Sequence, residues 1–173
     1  RQTSWRSSKI TDIRPISVHR ALAGSERRNV MSVEENKAAF RRYVEEVWID
    51  ENMGVADDIF AGKYTSHQSD GSVLERTPED VKEFVREYRS AFSDVENTVE
   101  DMIGEGEKVV TRWRLSATHT GDFRGIPATG NRITMTGIGI FRFEGGRVVE
   151  SWDSMDQLGM MQQLGVIPAP EQA

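Results

Sequence analysis

The chain has 173 residues, 37% hydrophobic and 29% charged, with a formal net charge of −6. That is the size and composition of one globular domain with room for a cavity in its core. It has no cysteine, which excludes disulfides, thiolate zinc sites and cysteine nucleophiles, and no apolar run approaches the roughly 18–20 residues that a membrane-spanning helix needs.

The charge is unevenly divided. Residues 1–30 carry seven Arg and Lys against Asp12 and Glu26, a net of +5. The other 143 residues carry 15 basic and 26 acidic side chains, a net of −11. An acidic body repels phosphate backbones, so no nucleic-acid partner is expected. The basic head lacks the apolar stretch of a secretory signal and only loosely resembles a transit peptide. It is expected to be a disordered leader or upstream sequence. The domain is expected over residues 31–168, with a loose tail at 169–173. No membrane partner is expected, and a cysteine-free chain fits the cytoplasm.

Ser32-Val33-Glu34-Glu35 has the form of a capping box. Behind it Phe40, Tyr43, Val44, Val47 and Trp48 fall on one helical face. This helix should run to about Trp48 and stop before Asn52-Met53-Gly54. A short helix over residues 55–60 and an extended piece over 64–68 follow. Thr77 is the N-cap of the next helix, with Pro78 at its first position. Val81, Phe84, Val85 and Tyr88 form its apolar face, and Ser93-Asp94 should end it.

From there the period changes to two. Residues 95–102 read as a strand and Gly104-Glu105-Gly106-Glu107 as a turn. In the strand over 109–120, Val109, Thr111, Trp113, Leu115, Ala117 and His119 share one face, and Val110, Arg112, Arg114, Ser116 and Thr118 the other. A glycine-containing loop spans 121–130. Strands over 131–143 and 148–152 flank the turn Glu144-Gly145-Gly146-Arg147. A short helix over 158–164 ends at Gly165. Helices followed by a run of strands predict an α+β domain, with helices on one face of a curved, mostly antiparallel sheet.

Four stretches carry a family resemblance: Ala91-Phe92-Ser93-Asp94, the strand VVTRW, the loop THTGDFRGIPATG and the end ESWDSMDQLGMMQQLG. Over about residues 33–166 the chain resembles the SnoaL-like polyketide cyclases, also called ester cyclases. Their fold is the cystatin-like roll of the nuclear-transport-factor-2-like proteins, which encloses a pocket. Two departures fall at the expected pocket rim. Ala128 stands where the family usually has a second proline, and Gln68-Ser69-Asp70 follows His67 in place of a proline-containing turn. The resemblance implies an intramolecular aldol condensation, in which an aspartate removes a proton α to a carbonyl and returns one to the new alkoxide. It implies no metal and no organic cofactor. By motif position that aspartate is Asp156, four residues after Trp152; Asp153 is the alternative.

Each candidate has a structural reading beside the functional one. Asp156 precedes the terminal helix and could simply cap it. A working base needs a carboxylate near a carbon acid and only a modest upward shift of its pKa, as in ketosteroid isomerase on a similar roll. It also needs separate donors for the enolate oxygen. His119 is a candidate donor or proton partner, or else a buried histidine satisfied by the loop. His67 and Tyr64 are expected near the pocket entrance. Arg112 is either a cavity-lining cation or an outer-face residue in a salt bridge. Trp48, Trp113, Trp152, Phe123 and Met155 are expected as core and pocket wall. His19, His67 and His119 lack metal-ligand spacing, so no metal site is expected. The loop glycines lie between strands rather than in a dinucleotide-binding turn, and no serine-nucleophile motif is present.

Three functions remain open: a proton-transfer enzyme on a small apolar carbonyl compound, a non-catalytic binder with the same pocket, and a dimerisation module. A homodimer is expected.

Overall fold

The computed structural model describes residues 32–168. The leader and tail, residues 1–31 and 169–173, lie outside the described residues. The first capping box forms as the sequence predicts: Glu35 N–H donates to Ser32 Oγ at 3.2 Å, and Ser32 N–H to Glu35 Oε2 at 2.7 Å. Helix α1 follows over Val33–Arg42 and passes directly into π-helical turns over Tyr43–Ile49. The wider turn gathers Tyr43, Val44, Val47 and Trp48 on the inward side. A 3₁₀ turn over Met53–Val55 leads into the one-turn helix α2, Ala56–Ile59.

Helix α3, Pro78–Ala91, starts at the Thr77 cap, where Asp80 completes a second capping box. Its apolar face buries Val81, Val85, Tyr88 and Ala91. Helix α4, Gln157–Gln163, closes the described chain.

Six strands form one sheet: β1 (Phe60–His67), β2 (Val73–Arg76), β3 (Phe92–Glu105), β4 (Lys108–His119), β5 (Arg132–Glu144) and β6 (Arg147–Met155). Their order is β2-β1-β6-β5-β4-β3, and only the β1–β6 pair is parallel. Helices pack on one face of this open sheet, which is the expected α+β architecture. Strand β2 was not anticipated; it is a short, exposed edge strand. The expected break at Ser93-Asp94 is instead a bulge inside β3: Asp94 takes φ 51° and the register shifts between Ser93 and Glu96. Aspartate tolerates that left-handed conformation, so the chain passes from helix to strand at Phe92 without a loop.

The phase read for β4 holds. Val109, Thr111, Leu115, Ala117 and His119 are buried toward the helices, while Arg112 and Arg114 face outward. The core lies between this sheet face and the helical face of Phe40, Val44, Val47, Val85 and Tyr88.

Candidate active site

Between α1 with its π turns, α3 and the inner sheet face lies a cavity of about 180 Å³. Aromatic rings make most of its wall. The helical side supplies Phe40, Tyr43, Trp48 and Phe84, and the sheet side supplies Phe60, Tyr64, Trp113 and Phe141. Two glycines on the inner face of β5 make room for it. A Cβ at Gly137 would overlap the Trp113 ring. A Cβ at Gly139 would come within 2.6 Å of the Phe141 ring and 3.0 Å of Asp153 Oδ1. Gly139→Ala is therefore expected to cost ~1–3 kcal/mol by overpacking and to displace the Asp153 carboxylate. Thermal midpoint and a ¹³C titration of Asp153 would read the two effects.

Asp153 is the inner carboxylate of this cavity, and Asp80 is a half-exposed carboxylate on its lining. Alternation along β6 turns Ser151, Asp153 and Met155 inward. Burial against apolar walls pushes the Asp153 carboxyl up to about 6, and a hydrogen bond with Ser151 offsets part of that rise. Two phenols share the cavity. Burial drives the Tyr43 hydroxyl far above the ordinary phenol range, partly offset by a hydrogen bond with Trp48. Burial likewise drives Tyr64 up, with the negative charge of Asp153 adding to it. Both tyrosines therefore remain O–H donors at any physiological pH.

Of the residues singled out from the sequence, Asp153, Trp48, Tyr64, Trp113 and Met155 line the cavity. Six others lie elsewhere. Asp156 follows the last residue of β6 and is exposed; its Oδ1 accepts the Gly159 N–H at 2.8 Å as the N-cap of α4. The inner cavity carboxylate is thus Asp153 and not Asp156. His119 is fully buried beyond the cavity's end of β4. Its Nδ1 accepts the Thr129 N–H at 3.2 Å and lies 3.0 Å from Thr129 Oγ1, so the ring fastens the 121–130 loop. Phe123 is fully buried in an aromatic cluster with Tyr88 and Phe92.

The remaining three sit on the outer sheet face. Arg112 pairs there with Glu100 and, at 2.8 Å, with Asp101. His67 stacks on Trp152 with ring centroids 4.8 Å apart, and its Nε2 lies 3.0 Å from Glu150. The register Ile103–Val110–Ile140–Trp152–His67–Val73 places all six residues in one row across that face. Tyr43 is a polar cavity-lining group that pattern reading missed. Its signal was a phenol within an apolar helical stripe, since a buried tyrosine needs a use for its O–H.

Among the described residues no group of three or more His, Asp or Glu is arranged to hold a metal ion. No described helix is long and apolar enough to cross a membrane.

The sequence pattern of the SnoaL-like polyketide cyclases matches residues 38–164. The chain belongs to this family. A proposed polyketide cyclase from Acidithiobacillus ferrooxidans is 33% identical, with a TM-score of 0.68 over 78% of this chain and 98% of that one. TsrD from Streptomyces laurentii is 27% identical, with a TM-score of 0.70 over 79% and 99% of the two chains. AclR, a proposed hydroxylase from Streptomyces galilaeus, is 26% identical, with a TM-score of 0.70 over 81% and 87%. No curated protein matches the chain. The SnoaL-like fold therefore accounts for nearly all of the described residues, and its aromatic cavity is where this family member differs from a filled core.

Proposed function

We propose that this SnoaL-like chain is a cyclase-type enzyme that works without a cofactor, with Asp153 as its acid/base. The substrate is a small apolar compound with an acidic carbon next to a carbonyl. Asp153, ionised at neutral pH, takes the α-proton. Negative charge then develops on the carbonyl oxygen, and the O–H groups of Tyr43 and Tyr64 are the donors that can meet it. An aldol-type ring closure would follow within the bound molecule, and Asp153 would return its proton to the new alkoxide.

One observation carries this reading: a single carboxylate with a raised pKa stands in an aromatic cavity that also presents two protonated phenols. A base shifted to about 6 is still mostly ionised at pH 7 and is a stronger proton acceptor than an exposed aspartate. Membership of the SnoaL-like family supports the same class of chemistry.

The test uses 2-tetralone, a bicyclic aromatic ketone with an acidic methylene. Deuterium uptake at that methylene in D₂O is followed by ¹H NMR. The wild-type protein is expected to accelerate exchange over buffer. Asp156→Ala is expected to keep that rate, because Asp156 lies outside the cavity. Its thermal midpoint should nevertheless fall, since loss of an N-cap costs ~1 kcal/mol. Tetralone that binds without faster exchange would make the cavity a carrier site and end the enzymatic reading.

A further inference from the structure

The cavity has a polar end that the proton-transfer reading does not use. Strand β2 pairs with β1 so that Arg76 stands directly opposite Tyr64 and on the same face. Arg76 and Asp80 line the cavity there. The Arg76 and Asp80 side chains are 38% and 36% exposed, against 6% for Trp48 and 9% for Tyr64, so this end is the mouth. Among the described residues Arg76 is the only cationic side chain lining the cavity.

Among the described residues its guanidinium has one ion-pair partner, Asp80, whose carboxyl it helps Thr77 to hold below the ordinary range. The nearest approach to Asp80 is 3.6 Å, from Nη1 to Oδ1. Asp80 is fixed by its other oxygen, which accepts both the N–H and the O–H of Thr77 at 2.7 Å. Asp80 therefore steadies the guanidinium without using up its five donors. A planar fork held at the mouth of an aromatic slot suits a carboxylate or another anionic oxygen. The charge of Arg76 is also felt at the Tyr64 hydroxyl, which responds to Asp153 as well. Strand β1 lies between β2 and β6, so Tyr64 stands between Arg76 and Asp153, and all three line one cavity that a single aromatic ligand would span.

We propose that Arg76 anchors an anionic oxygen group of the substrate at the cavity mouth, with the aromatic body and its reacting carbonyl directed inward toward Asp153. The substrate class becomes an aromatic carbonyl compound with a carboxylate or an ionised enol or phenol at its far end. This rests on the proposed reading of the cavity as the reaction site.

Two probes of nearly equal shape test it: 2-naphthoate, an anion, and 2-acetonaphthone, its neutral ketone counterpart. Binding is measured by calorimetry at pH 8, where Asp153 is ionised. With that negative charge inside, a cavity without an anchor should prefer the ketone. Wild type is expected to bind naphthoate about tenfold more tightly than the ketone, as a charge-assisted guanidinium–carboxylate contact allows. Arg76→Gln should remove about tenfold of naphthoate affinity and leave ketone binding within about twofold, and Arg76→Lys should fall between. Equal affinities in wild type, a parallel loss of both probes in Arg76→Gln, or no naphthoate binding would each overturn the anchor. The Asp153 reading fails separately. If tetralone exchange is absent yet the naphthoate preference is present and Arg76→Gln abolishes it, the anchor stands and the acid/base role does not.

Discussion

Asp153→Asn is expected to slow tetralone exchange by roughly 10²–10⁴-fold, the usual contribution of a positioned general base. The amide keeps the size of the side chain and removes its ability to take a proton. In wild type the rate should rise with pH, reach half its maximum near 6, and level off about one unit higher, where the carboxylate is almost fully formed. The same substitution should act on stability in the opposite direction. A carboxyl raised from 3.8 to about 6 binds its proton more tightly in the fold than in the unfolded chain. Folding is therefore unpenalised below pH 3.8 and becomes increasingly penalised as pH rises to about 6, after which the penalty is constant. Its full size is on the order of 3 kcal/mol at 1.36 kcal/mol per pH unit. Asparagine carries no such penalty. The thermal midpoint of Asp153→Asn should thus exceed that of wild type by a margin that opens between pH 4 and pH 7. A margin independent of pH would mean that Asp153 does not titrate in this window. A stabilised but inactive variant is the usual sign of a group held for function rather than for the fold.

Much of the framework was legible because it is local. The Ser32–Glu35 box, the Thr77-Pro78 helix start and the two-residue period of β4 each follow from spacing within a few residues. The β4 phase also favoured the outer-face reading of Arg112 without deciding it, because a residue next to Trp113 faces the opposite way. What was not legible depends on partners distant in sequence. Strand β2 is exposed and only four residues long, so it has no pattern of its own and exists by pairing with β1. The π turns bury the same residues that an α-helix would, so the apolar stripe cannot separate the two.

Motif position in the family resemblance put the acid/base at Asp156, and the pattern of strand β6 offers no correction. The segment Ser151-Trp152-Asp153-Ser154-Met155 carries an apolar residue on each of its two phases. Reading Trp152 as pocket wall turns Asp153 outward, because a shift of one residue exchanges the faces. In the structure the indole lies outside, held by His67 and by Lys108, whose Nζ sits 5.2 Å from the ring centroid. Those two contacts come from β1 and β4. The sequence of β6 alone does not contain them.

The histidine and phenylalanine assigned to the pocket belong instead to the anchoring of one loop, and Phe123→Ala should be the most destabilising substitution considered. Phe123 is fully buried, with its ring centroid 5.0 Å from that of Tyr88 and 5.1 Å from that of Phe92. Phe123 and Ile126 exchange backbone hydrogen bonds of 3.0 and 2.9 Å around Arg124 and Gly125, which both take positive φ. That is the geometry of a tight primed turn. Arginine is unfavourable at such a position, and its guanidinium is held by Glu87 at 2.8 and 2.9 Å. The turn therefore depends on the ring below it. Removing that ring should cost ~3–5 kcal/mol, a large share of the ~5–15 kcal/mol that holds a domain together. In a thermal melt this is a fall on the order of 10–15 °C. Phe123→Leu keeps much of the apolar volume and should fall less. Since Phe123 does not line the cavity, both variants are expected to exchange tetralone at the wild-type rate below their melting ranges. A changed affinity for tetralone in Phe123→Leu, with the fold intact, would instead place this ring at the binding site.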